Sequence, residues 1–103
     1  MEIRELLGVG KKFVIGMVHC LPLPGTMGYA GDCEKIYAQA VQDARTLEES
    51  GVDAVIVENM GDGPFAVRLD PAQAAALAVA TAKVREAVKI PVGVDAAFCD
   101  YAL

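Results

Sequence analysis

Three unbroken apolar runs divide the chain, and two amphipathic segments separate them. Phe13-Val14-Ile15-Gly16-Met17-Val18, Asp53-Ala54-Val55-Ile56-Val57 and Pro91-Val92-Gly93-Val94 each have strand length. Continuous rather than alternating hydrophobicity marks a strand covered on both faces, as in a parallel sheet. Between the first two runs, Asp32 is placed to cap a helix whose Ile36, Ala40, Ala44 and Leu47 share one stripe, and Gly51 stops it. Between the second and third, Asp70-Pro71-Ala72-Gln73 announces a helix: Asp caps, Pro takes the first helical position and Gln73 completes a capping box. That helix is expected to end near Lys89, because the residue before Pro91 is pushed out of helical geometry. A short helix is also expected at Ile3 to Leu7, ended by Gly8 and Gly10.

The order is therefore helix, β, α, β, α, β, with both crossovers long enough for parallel right-handed units. The expected fold class is α/β, a parallel (βα)8 barrel type, of which residues 1–103 supply the first three strands, two helices and the short N-terminal helix. They form a single partial domain. A three-stranded piece leaves open sheet edges, so it is expected to be marginally stable alone and to self-associate as a homo-oligomer or need a partner.

Composition changes this picture little. The 103 residues are 54% apolar without Trp, which suits a Val, Ile, Leu and Ala core. A net charge of −5 with scattered cations offers no basic stripe for a phosphate backbone, so nucleic acid is not an expected partner. Ala72 to Ala82, the longest apolar-rich stretch, is far shorter than the ~20 residues that cross a bilayer. No transmembrane segment is expected, and Met1-Glu2-Ile3-Arg4-Glu5 lacks the pattern of a signal peptide. The expected setting is cytoplasmic. Cys20, Cys33 and Cys99 are odd in number without Cys-x-x-Cys spacing, which favours reduced thiols.

The candidate chemistry lies where the apolar runs end. In parallel α/β sheets ligands bind outside the carboxyl ends of the strands, and here the runs give way to His19-Cys20, Glu58-Asn59 and Asp95. Adjacent residues of a strand face opposite sides, so His19 competes with Cys20, and Glu58 with Asn59, for the barrel interior; His19 and Glu58 are favoured. An imidazole beside carboxylates can serve as general acid or base, which makes Glu58 and His19 the catalytic candidates. The alternative is that both only bond loop backbones and close the barrel mouth.

Asp62 caps a turn or binds substrate hydroxyls. Arg68 is the cation near the expected rim, available to an anion or simply solvated. Asn59, Asp62, Asp95, Asp100 and Arg68 are accordingly the candidate substrate-binding residues. His19, Glu58, Asp95 and Asp100 have metal-compatible chemistry, but no ligand motif supports a metal, and none is assigned. The sequence does not identify a cofactor. Gly25-x-x-Gly28-x-x-Gly31 lacks the Lys-Ser/Thr of a phosphate loop and reads as a turn. The absence of Lys from the strands argues against a Schiff-base mechanism carried by this segment.

Ile15-Gly16-Met17-Val18-His19 through Leu21-Pro22-Leu23-Pro24-Gly25, then Gly51-Val52-Asp53-Ala54 to Val57-Glu58-Asn59-Met60-Gly61-Asp62 with Pro64-Phe65, then Ile90-Pro91-Val92-Gly93-Val94, resemble the BtpA/SgcQ family. The resemblance implies a TIM barrel of about 250 residues, the size of eight βα units. It carries His19, Glu58, Asn59 and Asp62 in matching motifs. The third strand departs from the pattern: Asp95, Phe98 and Cys99 stand where the family usually has Asn, Arg and Asn, and Asp100 is retained. Losing that Arg weakens any anion contact the family makes there.

The resemblance implies two functional classes. One is an enzyme-like barrel binding or transforming a small polar metabolite of sugar or nucleoside type, phosphorylated or not. The other is a non-catalytic biogenesis factor for photosystem I or another membrane complex, peripheral to a membrane. The expected partner is thus a small-molecule ligand or a photosystem-related complex.

Overall fold

Local signals set the element boundaries. The structure, a computed structural model, describes residues 12–97; the helix expected at Ile3 to Leu7, together with Phe98, Cys99 and Asp100, lies outside the described residues. Strand β1 spans Ile15–His19, helix α1 Cys33–Glu49, strand β2 Ala54–Glu58, helix α2 Pro71–Ala87 and strand β3 Val92–Asp95, with a 3-10 turn at Met60–Asp62.

Helix α1 starts because the Asp32 side chain accepts a hydrogen bond from Lys35 N–H at 3.2 Å, supplying a partner to one of the first-turn amides. It stops at Ser50 and Gly51, whose φ of +95° is left-handed backbone that glycine adopts without Cβ strain. Helix α2 has the complete capping box: Gln73 N–H donates to Asp70 Oδ1 at 2.9 Å and Asp70 N–H donates to Gln73 Oε1 at 3.0 Å. It ends at Ala87, two residues before Lys89, with Val88 already extended.

The strands form one parallel sheet in the order β1-β2-β3. Its register pairs Ile15 with Ala54 through His19 with Glu58, and Val55 with Val92 through Glu58 with Asp95. Asp53 fastens the starts of β1 and β2: its Oδ2 accepts from Val14 N–H and its N–H donates to the Val14 carbonyl, both at 2.8 Å. Glu48 does the same for the turn after α2, its Oε2 accepting from Lys89 N–H at 2.7 Å and Ile90 N–H at 3.2 Å.

Both helices cover one face of the sheet. Val18, Val55 and Val57 meet Ile36, Ala40 and Ala44 of α1 and Leu77, Ala80 and Val84 of α2, every one of them buried. Burying side chains of this size stabilises by about 1.5–3 kcal/mol each for Val, Leu and Ile. The other face carries Ile15, Met17 and Ile56 and remains half open, Met17 being 41% exposed. The apolar runs expected to be covered on both faces are thus covered on one among the described residues. An apolar groove of about 500 Å³ between α2 and β3, lined by Leu77, Ala78, Val92 and Val94, is also open.

Candidate functional site

The strand ends place three titratable side chains in a row. Alternation sends Cys20 and Asn59 to the helix side of the sheet, where both are buried, and leaves His19 and Glu58 on the open face. The parallel register puts His19 opposite Glu58 and Glu58 opposite Asp95. The His19 imidazole Nε2 lies 3.5 Å from Glu58 Oε1; the His19 side chain is 52% exposed and that of Glu58 only 15%.

Glu58 is the centre of this row. A hydrogen bond to the Asp95 carboxyl, above all, raises its pKa from the ordinary 4.5; burial and the Asp95 charge add to the effect, and His19 opposes it. A hydrogen bond between two carboxyl groups requires one of them to carry a proton. The two carboxyls stand beside an imidazole on the open face, and Glu58 gives up its proton less readily than an ordinary carboxyl. Among the described residues no group of three His, Cys, Asp or Glu side chains is arranged to hold a metal ion.

Behind the row lies a second polar layer, and it is buried. Asn59 is fully buried and Asp62 is 2% exposed. Asp62 Oδ1 accepts from Leu23 N–H at 2.8 Å, while its Oδ2 accepts from Asn59 Nδ2 and Gln73 Nε2, each at 3.0 Å. Asn59 Oδ1 accepts from Ala97 N–H at 2.6 Å. The loops after all three strands and the start of α2 are thereby tied to one node. Asp62 sits on the 3-10 turn, which passes so close under β1 that a Cβ at Gly61 would stand 2.8 Å from the Cys20 carbonyl oxygen. No side-chain nitrogen or oxygen buried among the described residues lacks a hydrogen-bond partner.

Of the sequence candidates, His19, Glu58 and Asp95 come together at the open face, and Asn59 and Asp62 lie behind them with their polar atoms bonded to the fold. Arg68 is exposed and lies outside the row, lining a cleft of about 220 Å³ that it shares with Asp62, Gln73, Thr26 and Asp70. Asp100 lies outside the described residues. Gln73 was legible as a helix cap; its second bond, to Asp62, was not, and the only sequence signal was a side chain with a donor left over once its oxygen caps α2. Cys20, at the end of β1, is buried, and burial, then the nearby Asp62 charge, push its pKa up to about 11.

Comparisons with known proteins agree with this architecture. An uncharacterized protein of Thermococcus kodakarensis is 48% identical over 85 residues, which are 82% of this chain and 33% of that protein. An uncharacterized protein of Pyrococcus furiosus is 43% identical over 90 residues, 87% of this chain and 34% of that protein. The photosystem I biogenesis protein BtpA of Synechocystis is 40% identical over 83 residues, 80% of this chain and 29% of that protein. The chain thus spans about a third of the length of the curated relatives it matches. No solved structure gives a significant match. The sequence profile of the BtpA family matches residues 10–101, and with that match and these relatives, the chain belongs to the BtpA family and presents three parallel strands and two helices consistent with part of a βα barrel.

Proposed function

We propose that the chain forms part of a barrel that binds and transforms a small polar metabolite, of sugar or nucleoside type and with or without a phosphate, at the carboxyl ends of its strands. The observation that carries this reading is the row His19, Glu58, Asp95, aligned by the strand register on the open face. Glu58 and His19 act as the acid and base: a carboxyl that keeps its proton above the usual range can give it to a ligand oxygen, and a neighbouring imidazole can take one. Asp95 meets ligand hydroxyls. Asn59 and Asp62 act on the ligand through the loops they hold, and Arg68 is available at the cleft beside the rim.

A second reading, an assembly factor for photosystem I or another membrane complex, rests on the name of the Synechocystis relative. No helix among the described residues is long and apolar enough to cross a membrane, and this reading takes the attachment to be peripheral. One experiment separates the two. The intact protein is screened by thermal shift against sugars, nucleosides and their phosphates, with Glu58→Gln as the control. A ligand at a hundred times its Kd raises stability by about 2.7 kcal/mol, and Glu58→Gln is expected to abolish turnover of that ligand. A complete absence of stabilising metabolites sinks the enzyme reading.

A further inference from the structure

The distance between Glu58 and Asp95 is not held by the sheet alone. The β2-β3 register ends at the pair itself. Two residues further on, the Ala97 N–H donates to a side chain, Asn59 Oδ1, at 2.6 Å. Asn59 follows Glu58 directly but points to the opposite side of the strand and is fully buried.

Its carboxamide can sit only one way round. The Asp62 carboxylate beside it accepts and the Ala97 amide only donates, so Nδ2 must face Asp62 and Oδ1 must face Ala97. Asp62 cannot drift, because Leu23 N–H and Gln73 Nε2 hold it from the β1 loop and from α2. A rigid post therefore rises behind Glu58 and fixes the strand exit that carries Asp95.

We propose that Asn59 is a positioning residue for the acid-base row: its bond to the Ala97 amide sets the place of Asp95 beside Glu58. The inference rests on the reading of that row as the reactive site. The charged groups that bear on Glu58 are His19 from β1 and Asp95 from β3. Only the second is attached to the segment that Asn59 holds. Loosening that segment moves the Asp95 carboxyl away and leaves the imidazole in place, so Glu58 should titrate lower.

The test is an NMR titration of the Glu58 carboxyl in the intact protein, in Asn59→Ala, in Ala97→Pro and in Asp95→Asn. Ala97→Pro deletes the donor while leaving Asn59, Asp62 and Gln73 bonded, and it carries the test if Asn59→Ala fails to fold. The expected result is a midpoint above 4.5 in the unaltered protein that falls towards 4.5 in both Asn59→Ala and Ala97→Pro. An unchanged midpoint in either folded variant overturns the positioning role while leaving the row intact. A Glu58 that titrates at 4.5 in the unaltered protein and is indifferent to Asp95→Asn removes the coupling of the two carboxyls, and with it both this inference and the functional reading beneath it.

Discussion

Replacing Asp62 by Ala tests whether the buried node holds the rim together. The substitution removes one acceptor group and strands three donors: Leu23 N–H, Asn59 Nδ2 and Gln73 Nε2. Leu23 and Asn59 are fully buried, so their donors have no route to solvent, whereas Gln73 is half-buried and can turn outward. A buried donor left without a partner costs about 1–3 kcal/mol, which gives about 2–6 kcal/mol for the two. Relief of the carboxylate's own desolvation, and a water taking its place, offset part of this, so the expected loss is about 2–4 kcal/mol. That is a large share of the 5–15 kcal/mol typical of a folded domain.

Urea unfolding followed by far-ultraviolet circular dichroism gives the loss as a fall in midpoint at constant slope. Asp43→Ala is the comparison: the Asp43 carboxylate accepts one exposed hydrogen bond, from Gln39 Nε2 at 2.9 Å on the same helix face, and such a pair is worth about 0.2–0.5 kcal/mol. An Asp62→Ala loss no greater than that of Asp43→Ala would show that the three donors are solvated, and the account of the node would be wrong.

Two further outcomes follow from perturbed groups. Because Glu58 has a raised pKa in the fold, the native state binds the proton more tightly than the unfolded chain, so Glu58 weakens stability as pH rises above 4.5. Glu58→Gln removes that loss: the variant should gain on the unaltered protein between pH 4.5 and 7 in urea unfolding, and a difference independent of pH refutes the raised pKa. Cys20, with its pKa near 11, should at pH 8 be thiolate in on the order of one molecule per thousand. It should resist iodoacetamide until the protein unfolds, as peptide mapping will show; labelling of Cys20 at the rate of a free thiol contradicts its burial.

What the sequence disclosed, and what it hid, divides along one physical line. The caps at Asp32 and Asp70, the stop at Gly51 and the stripe Ile36, Ala40, Ala44 are interactions within a few residues, and periodicity or spacing records them directly. Three parallel strands were legible from unbroken apolar runs, though each boundary moved by one or two residues. The polar side chains that knit the fold were not legible in their roles. Asp62 reaches Leu23 across 39 positions, Asn59 reaches Ala97 across 38, and Glu48 reaches Lys89 across 41. Bonds of that separation leave no periodic trace, and an Asp that accepts three donors looks in sequence like any loop Asp. Arg68 illustrates the converse: its nearness along the chain to the strand exits did not place it in the row.

The same alternation that builds the sheet also divides labour at its rim. His19, Glu58 and Asp95 each have a neighbour one residue on, Cys20, Asn59 and Ala96, and all three neighbours are buried on the helix side. The neighbours anchor the strand ends from behind, Cys20 with its backbone N–H donating to the Glu58 carbonyl at 2.9 Å and Asn59 with its carboxamide. A slip of one residue in any strand would exchange the two sets, burying a carboxylate and exposing its support. The polar rim and the apolar core are thus bound to one register. With its pKa raised by its neighbours, Glu58 is expected to work against the fold as pH rises above 4.5, and its place at the centre of the row on the open face is the reason for proposing that it meets a ligand.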